Sequence, residues 1–92
     1  MDELLLSKVR LGVVAALLNY DWVAFSELTR SVDATAGNLG AHLLKLVEAG
    51  YVDEEKSFVN RRPLTRYRLT NRGRSAFAAH VSQLQALLKA VR

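Results

Sequence analysis

The spacing of the apolar residues changes at Gly50 from that of a helix to that of a strand. Before Gly50, four apolar residues at positions i, i+4, i+7 and i+8 share one helix face: Leu39, Leu43, Leu46 and Val47. From residue 65 to residue 69, uncharged side chains alternate with arginines, as in a strand with one buried face. Gly50 is the residue type that commonly ends a helix. The chain is therefore predicted to combine helices with a short antiparallel sheet.

Three helices are predicted to precede Gly50. The first spans residues 4–18, where apolar residues recur at spacings of three and four: Leu11, Val14, Leu17 and Leu18. After an extended, aromatic-rich connection at residues 22–25, Ser26 is expected to cap a second helix that ends near Val32. Thr35 is expected to cap a third helix, over residues 35–49.

The segment after Gly50 is predicted to form a hairpin and then a long helix. The strands are residues 51–58 and 64–70, joined by the connection Val59–Pro63. Thr70 is expected to cap a helix from Asn71 to about Val91, roughly 30 Å long, which is longer than a monomer needs to support a hairpin. The predicted fold class is α+β, mostly α, in the order α-α-α-β-β-α, as a single domain over residues 1–92.

Charge is divided unequally along the chain. All nine acidic residues lie at or before Glu55, whereas residues 56–92 contain nine basic residues and no acidic one. The first part, with four basic residues, therefore carries a formal charge of −5 and the second part +9. A one-signed segment attracts polyanions through counterion release. This distribution favours a nucleic acid as the partner over a merely solvated basic surface.

Composition and motifs argue against several other functions. The chain has no cysteine, and its two histidines do not have the spacing of metal ligands, so neither a disulfide nor a metal site is expected. There is no Gly-rich phosphate loop, nucleophile elbow or carboxylate cluster on a plausible cleft, so we expect no enzyme activity and no cofactor. No apolar run approaches the roughly 18 residues of a membrane span, and a cytoplasmic location is expected.

Two sequence segments resemble those of a known family. The segment NLGAHLLKLVEAGYV, residues 38–52, resembles the recognition helix and its exit in regulators of the MarR/ArsR type. The segment YRLTNRGRSAF, residues 67–77, is similar to the one that follows their hairpin. The resemblance implies a winged helix-turn-helix domain that acts as a homodimeric transcriptional regulator on a pseudo-palindromic operator. Because the cysteines and the extra helices of the sensing members are missing, no metal or small-molecule effector is expected.

Ten residues are candidates for contact with double-stranded DNA. On the recognition helix, residues 35–49, they are Thr35, Gly37, Asn38, Ala41, His42 and Lys45. On the hairpin, or wing, whose tip is residues 58–64, and on its second strand they are Arg61, Arg62, Arg66 and Arg68. Asn38 can pair with adenine in the major groove, or can be an ordinary first-turn residue. His42 can meet a phosphate or serve in packing, and Lys45 can contact DNA or be solvated. The adjacent tip arginines, Arg61 and Arg62, are suited to a minor groove.

The last helix carries a heptad-like apolar seam that predicts a dimer interface. The predicted interface residues are Leu5, Phe77, His80, Val81, Leu84, Leu87, Leu88 and Val91. Packing of this seam on its own domain is the alternative.

The sequence thus predicts a DNA-binding transcriptional regulator, expected to repress by blocking polymerase access. A winged-helix protein-interaction module within a larger assembly is the second interpretation, although such modules often have acidic or apolar wing tips. The charge alone also leaves open an RNA-binding winged helix.

Overall fold

The computed structural model describes residues 1–91 and confirms the predicted order of helices and strands. A 3₁₀ helix, Glu3–Leu6, precedes the first α-helix. The elements that follow are α1 (Lys8–Leu17), β1 (Val23–Ala24), α2 (Phe25–Ser31), α3 (Ala36–Glu48), β2 (Val52–Val59), β3 (Arg62–Leu69) and α4 (Asn71–Ala90). The strands form one antiparallel sheet in the order β1-β3-β2. The fold is therefore mostly helical, with a small sheet.

The predicted first helix is interrupted at Ser7. The backbone of Ser7 is extended, with φ −72° and ψ 127°, so the helical path stops there. Its hydroxyl oxygen accepts a hydrogen bond from the backbone N–H of Arg10 at 3.3 Å and so caps α1. The prediction of one helix over residues 4–18 was wrong because a capping residue lies inside its apolar pattern.

The second helix begins at Phe25, with Ala24 at its N-cap and no capping side chain. The prediction that Ser26 caps it was wrong, because residues 23 and 24 are held extended by pairing with β3. Val23 lies opposite Tyr67 in this pairing, and Ala24 lies opposite Arg66. This two-residue strand was predicted only as an extended connection.

Both ends of α3 are closed as predicted. The Thr35 hydroxyl accepts a hydrogen bond from the backbone N–H of Asn38 at 3.2 Å. At the other end Gly50 has φ +80°, and the N–H groups of Gly50 and Tyr51 bond the carbonyls of Val47 and Leu46, each at 3.0 Å. This is the Schellman arrangement, which satisfies helix carbonyls that lack intrahelical partners.

One core joins the helices to the sheet. It contains Leu5, Val13, Val14, Leu17, Leu28, Leu39, Leu43, Leu46, Val52, Tyr67 and Leu69. Three of the four residues of the predicted α3 stripe are fully buried there, and Val47 packs at its edge. The buried leucines fix which face of α3 points into the domain and which points outward.

The hairpin turn is tighter than predicted. Val59 pairs with Arg62, so only Asn60 and Arg61 connect the strands. Both residues have positive φ, 53° and 65°, which is the type I′ pattern that matches the twist of a hairpin. The predicted five-residue connection was therefore wrong, since Val59 belongs to β2, and Arg62 and Pro63 belong to β3. Asparagine tolerates this conformation, whereas arginine adopts it at a cost of about 1 kcal/mol.

Helix α4 starts against the exit of α3 and then extends away from the core. The Thr70 hydroxyl caps it by accepting from the N–H of Gly73 at 3.0 Å. Ala76 and Phe77 pack on the core, and beyond Val81 the side chains are exposed except for a half-buried Leu84. The described residues extend over 55 Å along the longest axis. No helix among them is long and apolar enough to cross a membrane.

The tight approach at Gly73 gives a test of this packing. A Cβ atom added at Gly73 would lie 2.2 Å from the Tyr51 carbonyl oxygen and 2.7 Å from Leu69 Cδ1. We therefore expect Gly73→Ala to lower the free energy of unfolding by about 1–3 kcal/mol, as measured by urea denaturation. Gly37→Ala is the matched control, because a Cβ there has no neighbour within 4 Å and should raise the value by about 0.5–1 kcal/mol. A Gly73→Ala protein as stable as the wild type would contradict the described contact.

Candidate nucleic-acid interface

The outward face of α3 is small, polar and free of core contacts. At about 100° per residue, the exposed residues Gly37, Asn38, Ala41 and Lys45 lie roughly opposite the buried leucines. Leu44, with 58% of its surface exposed, shares this face and was not identified from the sequence. The position of Leu44 relative to the buried stripe is the sequence signal that indicates its exposure. This signal was missed because Leu44 directly follows the buried Leu43. The structure thus gathers four of the six predicted α3 candidates, Gly37, Asn38, Ala41 and Lys45, on one accessible surface.

The structure shows no packing role for two glycines of α3. A Cβ added at Gly37 or Gly40 would have no neighbour within 4 Å. Glycine inside a helix costs about 0.5–1 kcal/mol relative to alanine. Neither intramolecular packing nor helix stability therefore requires glycine at these positions. Their effect is to leave the helix backbone open to close approach by another molecule.

His42 lies on the flank of this face and is hydrogen-bonded to α1. Arg10 Nη1 is 2.8 Å from His42 Nδ1, and Arg10 Nε donates to the carbonyl oxygen of Leu4 at 2.7 Å. Partial burial, followed by the positive charges of Arg10 and Lys45, lowers the pKa of His42 below its usual value. The imidazole is consequently neutral at neutral pH, and Arg10 links the N-terminal segment to α3.

The outer face of the wing is a ladder of ion pairs. Arg66 bonds Glu55, and Arg68 Nε lies 3.3 Å from an Asp53 carboxylate oxygen, each pair spanning β2 and β3. The Arg68 guanidinium also lies 3.8 Å from Asp21. The guanidinium carbons of Arg66 and Arg68 stand 5.5 Å and 4.5 Å from the ring centre of Trp22. The charges of Arg66 and Arg68 thus already have acidic partners, and their contact with DNA stays a prediction.

The wing tip, residues 58–64, differs from this ladder. Arg61 and Arg62 are exposed, and within residues 1–91 no acidic oxygen lies within 4 Å of either. Phe58, 75% exposed, stands opposite Pro63 across the strands and adds apolar surface that sequence reasoning did not single out. The tip therefore presents two uncompensated cations and one exposed aromatic ring.

The predicted dimer residues divide into an interior and an exterior set. Leu5 and His80 are only 1% and 2% exposed, so they lie inside the protomer and not on a surface that a second chain reaches. Phe77 packs on the core. Leu87, Leu88 and Val91 are exposed, and Leu84 and Val81 are half-buried. The accessible part of the predicted interface is therefore the C-terminal half of α4.

An apolar groove of about 440 Å³ lies beside that helix, between α1, the end of α2 and α4. Its lining includes Val9, Leu11, Val32, Phe77 and Val81. Val81 lines this groove, and the exposed apolar side chains of α4 follow it along the same helix. Among the described residues no three metal-ligating side chains come together.

Comparison with known proteins agrees with this geometry. The family described as winged helix DNA-binding domain matches residues 9–88. The chain is 36% identical over 83 residues to an uncharacterized protein of Methanocaldococcus jannaschii, covering 90% of each. It superposes on a transcriptional regulator homologue protein from Pyrococcus horikoshii OT3 with a TM-score of 0.89 at 30% identity, covering 98% of this chain and 89% of that one.

Two further structures share the fold. A putative transcriptional regulator of the MarR family from Enterococcus faecalis V583 gives a TM-score of 0.74 at 25% identity, covering 95% of this chain and 77% of that one. PadR of Bacillus subtilis, solved in complex with operator DNA, gives 0.70 at 13% identity, covering 79% of this chain and 47% of that one. The predicted resemblance to short winged-helix regulators is confirmed. The chain belongs to the winged helix DNA-binding domain family.

Proposed function

We propose that this protein represses transcription as a homodimer that binds a pseudo-palindromic site in double-stranded DNA. In this proposal α3 enters the major groove and the wing tip reaches the flanking minor groove or its phosphates. PadR of Bacillus subtilis, which shares the fold, was solved in complex with operator DNA. A dimer bound across the start of a gene represses by excluding the polymerase.

The wing tip carries this proposal. Arg61 occupies the second central position of a type I′ turn with φ 65°, where glycine is the favoured residue. An arginine held there at an energetic cost, exposed and without an acidic partner in the described part of the chain, serves something outside the protomer. A narrow minor groove, with its enhanced negative potential, attracts such a side chain.

The outward face of α3 supports the same assignment. Gly37, Gly40 and Ala41 allow the helix backbone to approach the floor of a groove closely. Asn38 offers a bidentate pair to adenine, and Leu44 offers apolar surface to the methyl group of thymine. Lys45 supplies a cation for a phosphate or a guanine. With so few base-reading side chains, part of the specificity rests on the shape of the DNA that the wing meets.

The exposed C-terminal half of α4 supports the dimer in this proposal. Leu87, Leu88 and Val91 present apolar side chains to solvent beyond the core, and the apolar groove lies at an earlier part of the same helix, at Phe77 and Val81. Association through this surface would remove both from water. Two recognition helices spaced by one duplex turn, about 34 Å, would then face successive major grooves.

The tip arginines can be tested through the salt dependence of DNA binding. For Arg61→Ala/Arg62→Ala we expect weaker binding to a random duplex pool and a smaller slope of log affinity against log salt. The slope should fall by about two for each protomer, and so by nearly four for the proposed dimer, since each phosphate contact contributes roughly 0.9. Fluorescence anisotropy at several salt concentrations measures both quantities. Lys8→Ala/Lys89→Ala removes the same charge away from α3 and the wing, and should keep the wild-type slope. Identical slopes for the wild type and the tip variant would refute the wing contact and favour a protein-interaction module.

The positive φ of Arg61 predicts that replacing this residue by glycine stabilises the protein but weakens its binding to DNA. Arg61→Gly should raise the free energy of unfolding by about 1 kcal/mol, because glycine adopts positive φ without strain, and should weaken duplex binding. Arg62→Gly should weaken binding but lower stability, because Arg62 is in β3. Urea denaturation and anisotropy on both variants make the comparison. An Arg61→Gly protein that binds as tightly as the wild type would show that the arginine has no role in DNA binding.

Dimerisation can be tested by sedimentation equilibrium at micromolar concentration. The wild type should sediment at about twice its chain mass of 10.2 kDa. Leu87→Gln/Leu88→Gln should sediment as a monomer with unchanged helix content, since both side chains lie outside the core. Leu44→Gln, an exposed apolar-to-polar change on α3, should leave the dimer intact. A monomeric wild type would exclude the homodimer.

A further inference from the structure

Three polar contacts connect the N-terminal segment, α1 and the region of α3. The Tyr51 hydroxyl, just after α3, donates to the Asp2 carboxylate. Arg10 uses Nε to hold the carbonyl oxygen of Leu4 and Nη1 to hold His42 in the middle of α3. Arg10 is thus fixed at two points, and the direction of its Nη1 group toward His42 is set by the fold.

The chemistry of arginine decides how His42 is protonated. A guanidinium has only donors, so His42 Nδ1 must accept this hydrogen bond with its lone pair. In a neutral imidazole the proton then lies on Nε2. A lowered pKa, caused by partial burial and by Arg10 and Lys45, keeps the ring neutral. Within residues 1–91, Nε2 has no hydrogen-bond partner, and it is not among the buried polar atoms without one.

The place of His42 on the helix indicates what this donor meets. His42 follows Asn38 by four residues and precedes Lys45 by three, so it borders these two residues of the outward face. His42 itself lies on the edge of α3 between the outward face, which points at base edges in the proposed complex, and the buried leucines. An edge of a helix seated in the major groove faces the sugar-phosphate backbone.

We propose that Arg10 acts as a positioning residue that makes His42 a neutral hydrogen-bond donor, through Nε2–H, to a non-bridging phosphate oxygen of the bound DNA. This inference rests on the proposed function and adds a contact type to it. The contact carries no charge on the protein side and releases no counterion. It therefore contributes to affinity without contributing to the salt slope, in contrast to the contacts of Arg61 and Arg62.

A pair of amide substitutions separates the two ring nitrogens. His42→Gln places an amide N–H near the position of Nε2 and keeps the donor, whereas His42→Asn places an amide oxygen near Nδ1 and keeps only the acceptor for Arg10. With a random duplex pool we expect His42→Asn to weaken binding by about three- to tenfold and His42→Gln by about twofold or less, both with the wild-type salt slope. Equal losses, a His42→Asn protein that binds like the wild type, or a reduced slope in either variant would overturn the proposal.

The tautomer is observable without DNA. Long-range proton–nitrogen correlation NMR at neutral pH should show His42 with an unprotonated Nδ1 and a protonated Nε2, the signals being assigned by their loss in His42→Gln. In Arg10→Met, which removes the donor at similar length, this preference should weaken and binding should fall by about twofold while the fold is retained by circular dichroism. A protonated Nδ1 in the wild type would refute the inference. Absence of duplex binding by the wild type would instead refute the proposed function, whichever tautomer is found.

Discussion

The burial of one leucine face of α3 is the constraint on which the rest of the molecule depends. Leu39, Leu43 and Leu46 are fully buried, and exposing each of them would cost about 2 kcal/mol. Because the helix cannot rotate without that loss, its outward residues keep a fixed direction. The caps at Thr35 and Gly50 fix its length in the same way. A rigid helix with one free face is what allows a few small and polar side chains to form a surface.

Sequence reasoning succeeded where the deciding interactions are local. Thr35, Gly50 and Thr70 act on backbone groups within a few residues, so the bounds of α3 and the start of α4 were predictable. The strand β1 was not, because its two residues become a strand only by pairing with residues more than forty positions away. The same holds for the contact between Arg10 and His42, which are 32 residues apart. Neither segment contains a sequence pattern that indicates its contact with the other.

Folding pairs acidic and basic residues that are separate along the sequence. Along the sequence, acidic residues end at Glu55 and basic residues follow. The register of the hairpin brings the two groups together, because it sets Asp53 opposite Arg68 and Glu55 opposite Arg66. The cationic stretch is thus partly neutralised by the strand that precedes it, and the uncompensated arginines of the hairpin are those at its tip. The sequence could not show this, since the register depends on a turn two residues long that lacks glycine.

That short turn also limits how such a wing can change in length. With the turn and the ion-pair ladder kept, residues can be added only in equal numbers to β2 and β3, each added pair extending the reach by about 3.4 Å. An unpaired insertion would shift one strand by a residue and turn Tyr67 out of the core. An odd number of pairs placed below the tip would move Phe58 to the opposite face of the sheet. The distance between α3 and the tip arginines is therefore adjustable only in steps of whole residue pairs.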